Sequence, residues 1–507
     1  MSNKEKTPKD AAAVILIKDG AVFLAQRNPN TAFLGGWHAF PGGKLDPNDA
    51  KIAVVNCADD TLAPFIVCAV RETFEETGIL LARGGDKMTV GQRASLLDDL
   101  MSARSTFAEI LTHWGLWIDA ADFLYTGFWT TPQFSPVRFK TRFFIAECPP
   151  KQRAAATAEL VEGEFTNPQN ALTRWRNGEI LISPPVLIAL CELTPNSAVS
   201  ETNAARSLGS EMNLAVCAAE LLEKSNAANG AIDFIELNSH IVCFPLATET
   251  LPPATHTNCF IVGAKEFVVI DAAAKSEIEQ AKLHHFIRAL IEKGGVCRTV
   301  ITTHAHPDHT GGERALQRYL LENFKLEVPL AAHRLTAESL RGEVEFAETI
   351  EDGEVFELKD ALGETFRLTA LHAPGHAPGH LVFYDAEKGF LLAGDNVSSL
   401  SSIVIAPPDG DLRDYLATLE QLKNLSNLRF LCGSHGAAVY DARGKIESYI
   451  EHRLERERQI LAASAGGAQT AAEIAAQVYP DLDPQLAPLA EKSVAAHLEK
   501  LKVENRI

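Results

Sequence analysis

No stretch of this sequence stays apolar for the roughly 18–20 residues that a membrane helix needs, which excludes a helical membrane span. The opening Met1-Ser2-Asn3-Lys4-Glu5-Lys6 is polar and shows none of the apolar run of a secretory signal. Cysteine is sparse and unpatterned: nine are scattered through 507 residues, an odd number with no Cys-x-x-Cys pair. A disulfide framework is therefore not expected, and a cytoplasmic setting is. Basic residues are outnumbered, 47 Lys and Arg against 66 Asp and Glu, for a formal net charge of -19. That balance favours solubility and argues against a broad nucleic-acid surface, leaving room only for a small local groove. No internal repeat or long low-complexity tract is visible, and the length calls for roughly two to four domains.

What the chain does have is the run Thr303-His304-Ala305-His306-Pro307-Asp308-His309-Thr310-Gly311-Gly312. Val300-Ile301-Thr302 before it reads as a buried strand, and the Gly-Gly after it lets the backbone turn into a helix. Strand-to-helix loops are where α/β sites form. By two-residue alternation His304 and His306 point to one side and can clamp one ion, while Asp308 and His309 can reach a second. Core packing does not explain such a cluster. Downstream, Pro374-Gly375-His376 aims another imidazole, and Phe390-Leu391-Leu392-Ala393-Gly394-Asp395 is an apolar strand ending in a carboxylate able to bridge two ions. Phe430-Leu431-Cys432-Gly433-Ser434-His435 repeats that pattern with a last imidazole.

This ordered set resembles the metallo-β-lactamase superfamily motif by motif. The resemblance implies an αββα sandwich with two Zn²⁺ held by His304, His306, Asp308, His309, His376, Asp395 and His435, Asp308 also being catalytic. It makes Asp271, at the end of Phe267-Val268-Val269-Ile270, a residue that orients a ligand. His333, His372 and His380 lack a motif partner and are read as structural.

In the N-terminal half, two short strands flank the turn Lys18-Asp19-Gly20, and Arg71-Glu72-Thr73-Phe74-Glu75-Glu76-Thr77-Gly78 reads as a helix stopped by glycine. Glu72, Glu75 and Glu76 fall at i, i+3 and i+4, so three carboxylates share a face. Like charges so placed call for a cation, and oxygen-only donors favour Mg²⁺ or Mn²⁺. With Phe40-Pro41-Gly42-Gly43 upstream, this helix resembles the Nudix box of diphosphate hydrolases. The intervening segment is about 14 residues longer than usual. Thr73 replaces an aliphatic, and Asp49 stands where the first Glu of the box would be. The long box, Arg138 to Phe144 and Ile182-Ser183-Pro184-Pro185 resemble the branch related to coenzyme A diphosphatases. Of that branch's coenzyme A signature, Arg27, Gly36 and Phe40 match, but Ala32 stands where Arg is expected. The resemblance implies an α/β/α sandwich acting on a nucleoside or coenzyme A-type diphosphate, with Glu72, Glu75 and Glu76 as metal ligands and catalytic residues.

The expected organisation is α/β and α+β: a Nudix domain over 10–195, a linker over 196–231, a metallo-β-lactamase domain over 232–447 and a small helical or winged-helix tail over 448–507. The tail carries Tyr449-Ile450-Glu451-His452-Arg453 and His497-Leu498-Glu499-Lys500-Leu501, stretches that resemble a lactamase-β-like branch containing a single-strand endoribonuclease. From that resemblance single-stranded RNA is expected ahead of thioesters, with Arg453, Arg456 and Arg458 as the basic strip. Gly436-Ala437-Ala438 after the last histidine departs from glyoxalase II enzymes, which usually carry Glu-Tyr-Thr there. Thioester hydrolysis, a Nudix fold that binds nucleotide without turnover, and a tail serving as a lid or homodimer element remain open.

Overall fold

In the computed structural model, which describes residues 7–31, 34–154, 160–194 and 213–507, the chain divides into two units, Met1–Ile235 and Glu236–Ile507. Ala32 lies outside the described residues. Among them, no helix is long and apolar enough to cross a membrane.

The first unit is built on strand Lys9–Lys18. Ala12, Val14 and Leu16 enter one hydrophobic core and Ala13, Ile15 and Ile17 the other, so side-chain alternation serves two buried faces. A strand covered on both sides belongs at the centre of a sheet. It pairs in parallel with Phe139–Glu147 and antiparallel with Ala21–Arg27, and the sheet continues through His38–Ala39 on one side and Leu124–Thr130 on the other. The expected hairpin turn is there: Asp19 and Gly20 both take positive φ, 49° and 75°, as a two-residue primed turn requires. Helix Ala63–Thr77 packs on one face through Phe65, Ile66, Val70 and Phe74. Helices Pro168–Arg176 and Pro184–Leu193 cover the other. The unexpected Thr73 lies fully buried in the first of these helices, where its hydroxyl donates to Ala69 O at 2.6 Å. That back-bond lets a hydroxyl stand at an apolar position.

Of the expected linker, residues 196–212 lie outside the described residues. Leu214–Ala227 is a helix whose Cys217, Ala218 and Leu221 are buried in the second core of the first unit. The division between units falls after Ile235, so this helix belongs to the first unit rather than to a free tether.

In the second unit, strands Glu266–Ile270 and Val296–Thr302 run in parallel, with helices Glu277–Glu292 and Glu313–Phe324 burying Leu283, Ile287, Leu316 and Leu320. Val355–Lys359, Thr365–His372, Leu381–Asp385 and Phe390–Gly394 form an antiparallel series, and the last pairs in parallel with Phe430–Gly433. The Glu266–Lys359 pair joins the halves into one 12-stranded hydrogen-bonded system. Helices Leu412–Lys423 and Ala442–Ala465 pack on the second half through Tyr415, Leu419, Ile446 and Tyr449.

The tail supplies the expected helices: Ala442–Ala465, then Ala471–Val478 behind a Thr470–Glu473 capping box, then Ala487–Val503. Ile460, Ile474, Val494 and Leu501 form its core. No strand follows Phe430–Gly433 among the described residues. The expected basic strip does not form. Buried positions on the long helix recur at Ile446, Tyr449, Ile450, Arg453, Glu457 and Ile460, so Arg453 falls on the inner stripe and is 3% exposed. Arg456 stacks over Tyr479 at 4.3 Å and donates to Val478 O at 3.1 Å, while Arg458 pairs with Glu455 at 2.5 Å.

Leu16→Ala removes a fully buried side chain from the central strand of the first unit. We expect a loss of about 2–5 kcal/mol, read as a shift of that unit's denaturant transition, with the second unit's transition unmoved.

Candidate metal centres

Four loops of the second unit, following strands Val296–Thr302, Thr365–His372, Phe390–Gly394 and Phe430–Gly433, carry the seven side chains anticipated as ligands. The structure brings all seven together. Three sets of donor atoms each lie within 4.8 Å of one another: His304 with His306 and His376, His304 with His309 and Asp395, and Asp308 with His309 and His435. Asp395 lies between the sets, its Oδ2 3.5 Å from His376 Nε2 and its Oδ1 3.6 Å from His309 Nε2 and 3.4 Å from His435 Nε2. His435 Nε2 is also 3.5 Å from Asp308 Oδ2. These separations exceed hydrogen bonds, and His309 Nε2, His376 Nε2 and Asp395 Oδ1 are buried without a hydrogen-bond partner. Buried polar atoms left unmatched in one place, on imidazole and carboxylate, fit a pair of divalent ions.

For four of the five rings the opposite edge is already occupied, which fixes the tautomer. His376 Nδ1 donates to Val404 O at 3.0 Å and His435 Nδ1 to His256 O at 2.8 Å. His309 Nδ1 donates to Asp271 Oδ2 at 2.8 Å, and His304 Nδ1 to Thr303 Oγ1 at 3.0 Å. Thr303 in turn donates to Asp271 from its backbone N–H and its hydroxyl, each at 2.8 Å. Asp271, expected to orient a ligand, sits at φ 56°. Aspartate tolerates that left-handed conformation better than most residues.

Electrostatics agree with this geometry. Burial, reinforced by neighbouring imidazoles, drives His304 far below the usual histidine range and His376 down to about 4, so both favour the neutral form that ligates. Burial is the largest single influence on His309 and His435 too, but the Asp395 carboxylate, joined by Asp271 for His309 and by the His256 carbonyl for His435, together with their hydrogen bonds, raises both. Asp395 itself, despite burial, is held well below the usual carboxylate range by His435 and His309. It is a buried negative focus ready for cations.

One participant escaped the sequence reading. His380 is fully buried, and its Nε2 accepts from the backbone N–H of Asp395 at 2.9 Å. It positions the central carboxylate rather than lying idle. The signal available was its spacing of four residues from His376 on the same loop. His333 and His372 behave as read: they stack on each other at 4.2 Å, and His333 Nδ1 caps a short helix.

In the first unit two of the three carboxylates of helix Ala63–Thr77, Glu72 and Glu76, lie against Gly43 and Gly42. Glu76 Oε2 accepts from Gly42 N at 2.9 Å, and a Cβ on Gly43 would lie 2.4 Å from Glu72 Oε2. Only glycine admits so close a carboxylate. Arg71 holds Glu72 at 2.7 Å and Glu75 at 3.1 Å through one nitrogen. Its other two nitrogens grip Asp49 at 2.9 Å each. Asp49 therefore anchors the arginine that arrays the carboxylates, which accounts for an acid at that position. A cleft of about 300 Å³ opens beside Glu75, walled by Asp46, Asn48 and Lys51 of the extended segment and by Thr106 and Phe107. All three sets of clustered donors found among the described residues lie in the second unit, so the Glu72–Glu75–Glu76 group is more open than the histidine centre.

Comparison with known families gives the same division. The metallo-β-lactamase superfamily matches residues 252–435. The NUDT19 Nudix domain matches residues 57–193 and the general Nudix domain residues 7–99. The β-lactamase-associated winged-helix domain matches residues 470–507. The chain joins a Nudix domain to a metallo-β-lactamase domain. Both are domain types of hydrolases. Among curated relatives, an atrochrysone carboxyl ACP thioesterase of Pseudocercospora fijiensis is 30% identical over 210 residues, 41% of this chain and 56% of that protein. A β-lactamase-like protein 2 homolog of Caenorhabditis elegans is 30% identical over 203 residues, 40% of this chain and 64% of its own length. This chain thus spans less than two thirds of either relative. Among solved structures, a metallo-β-lactamase family protein from Thermus thermophilus aligns with TM-score 0.42 and 24% identity, covering 53% of this chain and 95% of that one. A Nudix hydrolase from Alicyclobacillus acidocaldarius aligns with TM-score 0.32 and 30% identity, covering 37% and 91%.

Asp271→Ala removes the acceptor that orients His309 and Thr303 without touching a ligand atom. We expect zinc affinity of the metallo-β-lactamase domain to fall about 10–100-fold, measured by chelator competition on folded protein.

Proposed function

We propose that this chain is a two-headed metallo-hydrolase whose Nudix domain cleaves a diphosphate with Mg²⁺ or Mn²⁺ and whose metallo-β-lactamase domain hydrolyses an acyl thioester with two Zn²⁺. The observation that carries the thioester reading is the inward register of Arg453. Without it the long tail helix offers no phosphate-tracking strip, and a protein of net charge -19 has no evident way to hold RNA. The thioesterase among the relatives supports the same choice. The tail's resemblance to the endoribonuclease branch at Tyr449 to Arg453 and His497 to Leu501 favours single-stranded RNA instead, and that is the second reading.

When bound, two zinc ions supply Lewis acidity toward a carbonyl oxygen and ease the deprotonation of water. The chain's own part is to hold the donors rigid through Asp271, His256, Val404 and His380. Asp308 is the most open carboxylate of the centre, with 16% of its side chain exposed, and is placed to receive a proton at Oδ2. In the Nudix domain, Arg71 keeps Glu72 and Glu75 aligned, and the cleft beside Glu75 takes the substrate. A coenzyme A thioester would satisfy both heads, since it carries a diphosphate and a thioester in one molecule. The nine free cysteines, eight of them buried, fit work in a reducing, cytoplasmic compartment.

The experiment is to incubate zinc- and magnesium-loaded protein with acyl-coenzyme A, other acyl thioesters and labelled single-stranded RNA. Thiol release from a thioester with RNA intact is expected; RNA cleavage with every thioester intact would overturn the thioester reading. Glu75→Gln should lower diphosphate turnover by about 10²–10⁴-fold while thioester release stays within about twofold. If wild-type protein binds a nucleoside or coenzyme A diphosphate yet releases no monophosphate, the Nudix domain is a sensor and not an enzyme.

A further inference from the structure

The junction between helices Ala442–Ala465 and Ala487–Val503 gathers buried nitrogen atoms that nothing in the protein satisfies. His497 is 1% exposed, and neither its Nδ1 nor its Nε2 has a hydrogen-bond partner. Arg453 Nε and Arg456 Nε are likewise buried and unpartnered. Arg453, Arg456, His452 and Lys500 all lie within electrostatic range of the His497 ring. The nearby acids are committed elsewhere: Glu457 receives Lys500 at 2.6 Å and also pairs with Arg506, and Glu455 pairs with Arg458, reaching Arg456 only through its field. Arg453 donates from Nη2 to Ile403 O, a neutral acceptor, and faces the Tyr415 ring at 5.4 Å.

A guanidinium taken out of water without a counter-charge costs several kcal/mol. The same place holds a second unmatched guanidinium N–H and a whole imidazole. The unmatched atoms share one neighbourhood in which the surrounding charge is positive, so the partner that would satisfy them is an acceptor of negative charge.

We propose that this junction is a binding site for a small oxyanion, of the sulfate or phosphate class, held by Arg453, Arg456 and His497. The site lies in the tail, apart from the metal ligands, but is wired to them. Arg453 and Tyr449 together hold the segment after Asp395: Tyr449 accepts from Ser398 N at 3.0 Å, and Arg453 donates to Ile403 O. The next carbonyl, that of Val404, fixes the His376 tautomer. An anion that locks Arg453 therefore steadies a metal ligand from outside the centre.

His497→Leu tests this cleanly, because the ring makes no hydrogen bond to the protein that the change could break. Zinc-loaded full-length protein is titrated with sulfate and with chloride at constant ionic strength, and the melting temperature of the second unit is followed. Wild type should gain several degrees with a saturating sulfate dependence and little from chloride. His497→Leu and Arg456→Met should each lose the sulfate-specific gain while keeping a cooperative transition in sulfate-free buffer. Sulfate binding at the zinc centre or the Nudix cleft would persist in both variants, so it cannot mimic this loss. Equal responses to sulfate and chloride, or an unchanged sulfate response in His497→Leu, would overturn the proposal. Phosphate from a nucleotide is distinguished from free anion by repeating the titration with adenosine monophosphate; a gain there means the site also admits a phosphoryl end.

Discussion

One carboxylate organises the metallo-β-lactamase domain. Asp271 ends a fully buried strand in a left-handed backbone conformation and accepts hydrogen bonds from Thr303 N, Thr303 Oγ1 and His309 Nδ1. Through Thr303 it reaches His304 as well. Two of the metal-facing rings thus depend on a residue that cannot itself touch the ions, and the parallel strands Glu266–Ile270 and Val296–Thr302 exist side by side to deliver it. Asp395 and His435 arrive at the ends of buried strands, Phe390–Gly394 and Phe430–Gly433. Packing at Gly433 is tight: a Cβ there would lie 1.9 Å from Val397 O, so the strand before His435 can pass the Asp395 loop only without a side chain.

The two heads use charge in opposite ways. In the second unit imidazoles crowd one buried carboxylate, and burial keeps several of them neutral, so the centre behaves as a soft-to-borderline nest suited to zinc. In the first, carboxylates are arrayed on a helix face and held by Arg71, more open and oxygen-only, as suits a hard ion brought in with its phosphates. The two sets of candidate ligands fall in different units.

Most of this was legible in the sequence because ligand chemistry demands residue types that core packing does not. His304, His306, Asp308, His309, His376, Asp395 and His435 converge as their motifs implied, and the period-two alternation of Ala12 to Ile17 located the central Nudix strand. What escaped depended on register and on distant partners. Arg453 looks like a surface cation until the helix is phased by Ile446, Tyr449, Glu457 and Ile460, which turn it inward. His380 has no motif; only the fold brings its ring to the backbone of Asp395. Asp49 departs from the Nudix pattern by residue type, yet its two bonds to Arg71 show a function that composition could not reveal.

The unmatched atoms His309 Nε2, His376 Nε2 and Asp395 Oδ1 are the metal-facing heart of the second unit. Elemental analysis of full-length protein equilibrated with zinc and freed of excess measures this directly. Two tightly bound equivalents per chain are predicted, falling to one or none in Asp395→Ala with the fold retained. A stoichiometry near zero in the wild type, or two equivalents retained in Asp395→Ala, would contradict it.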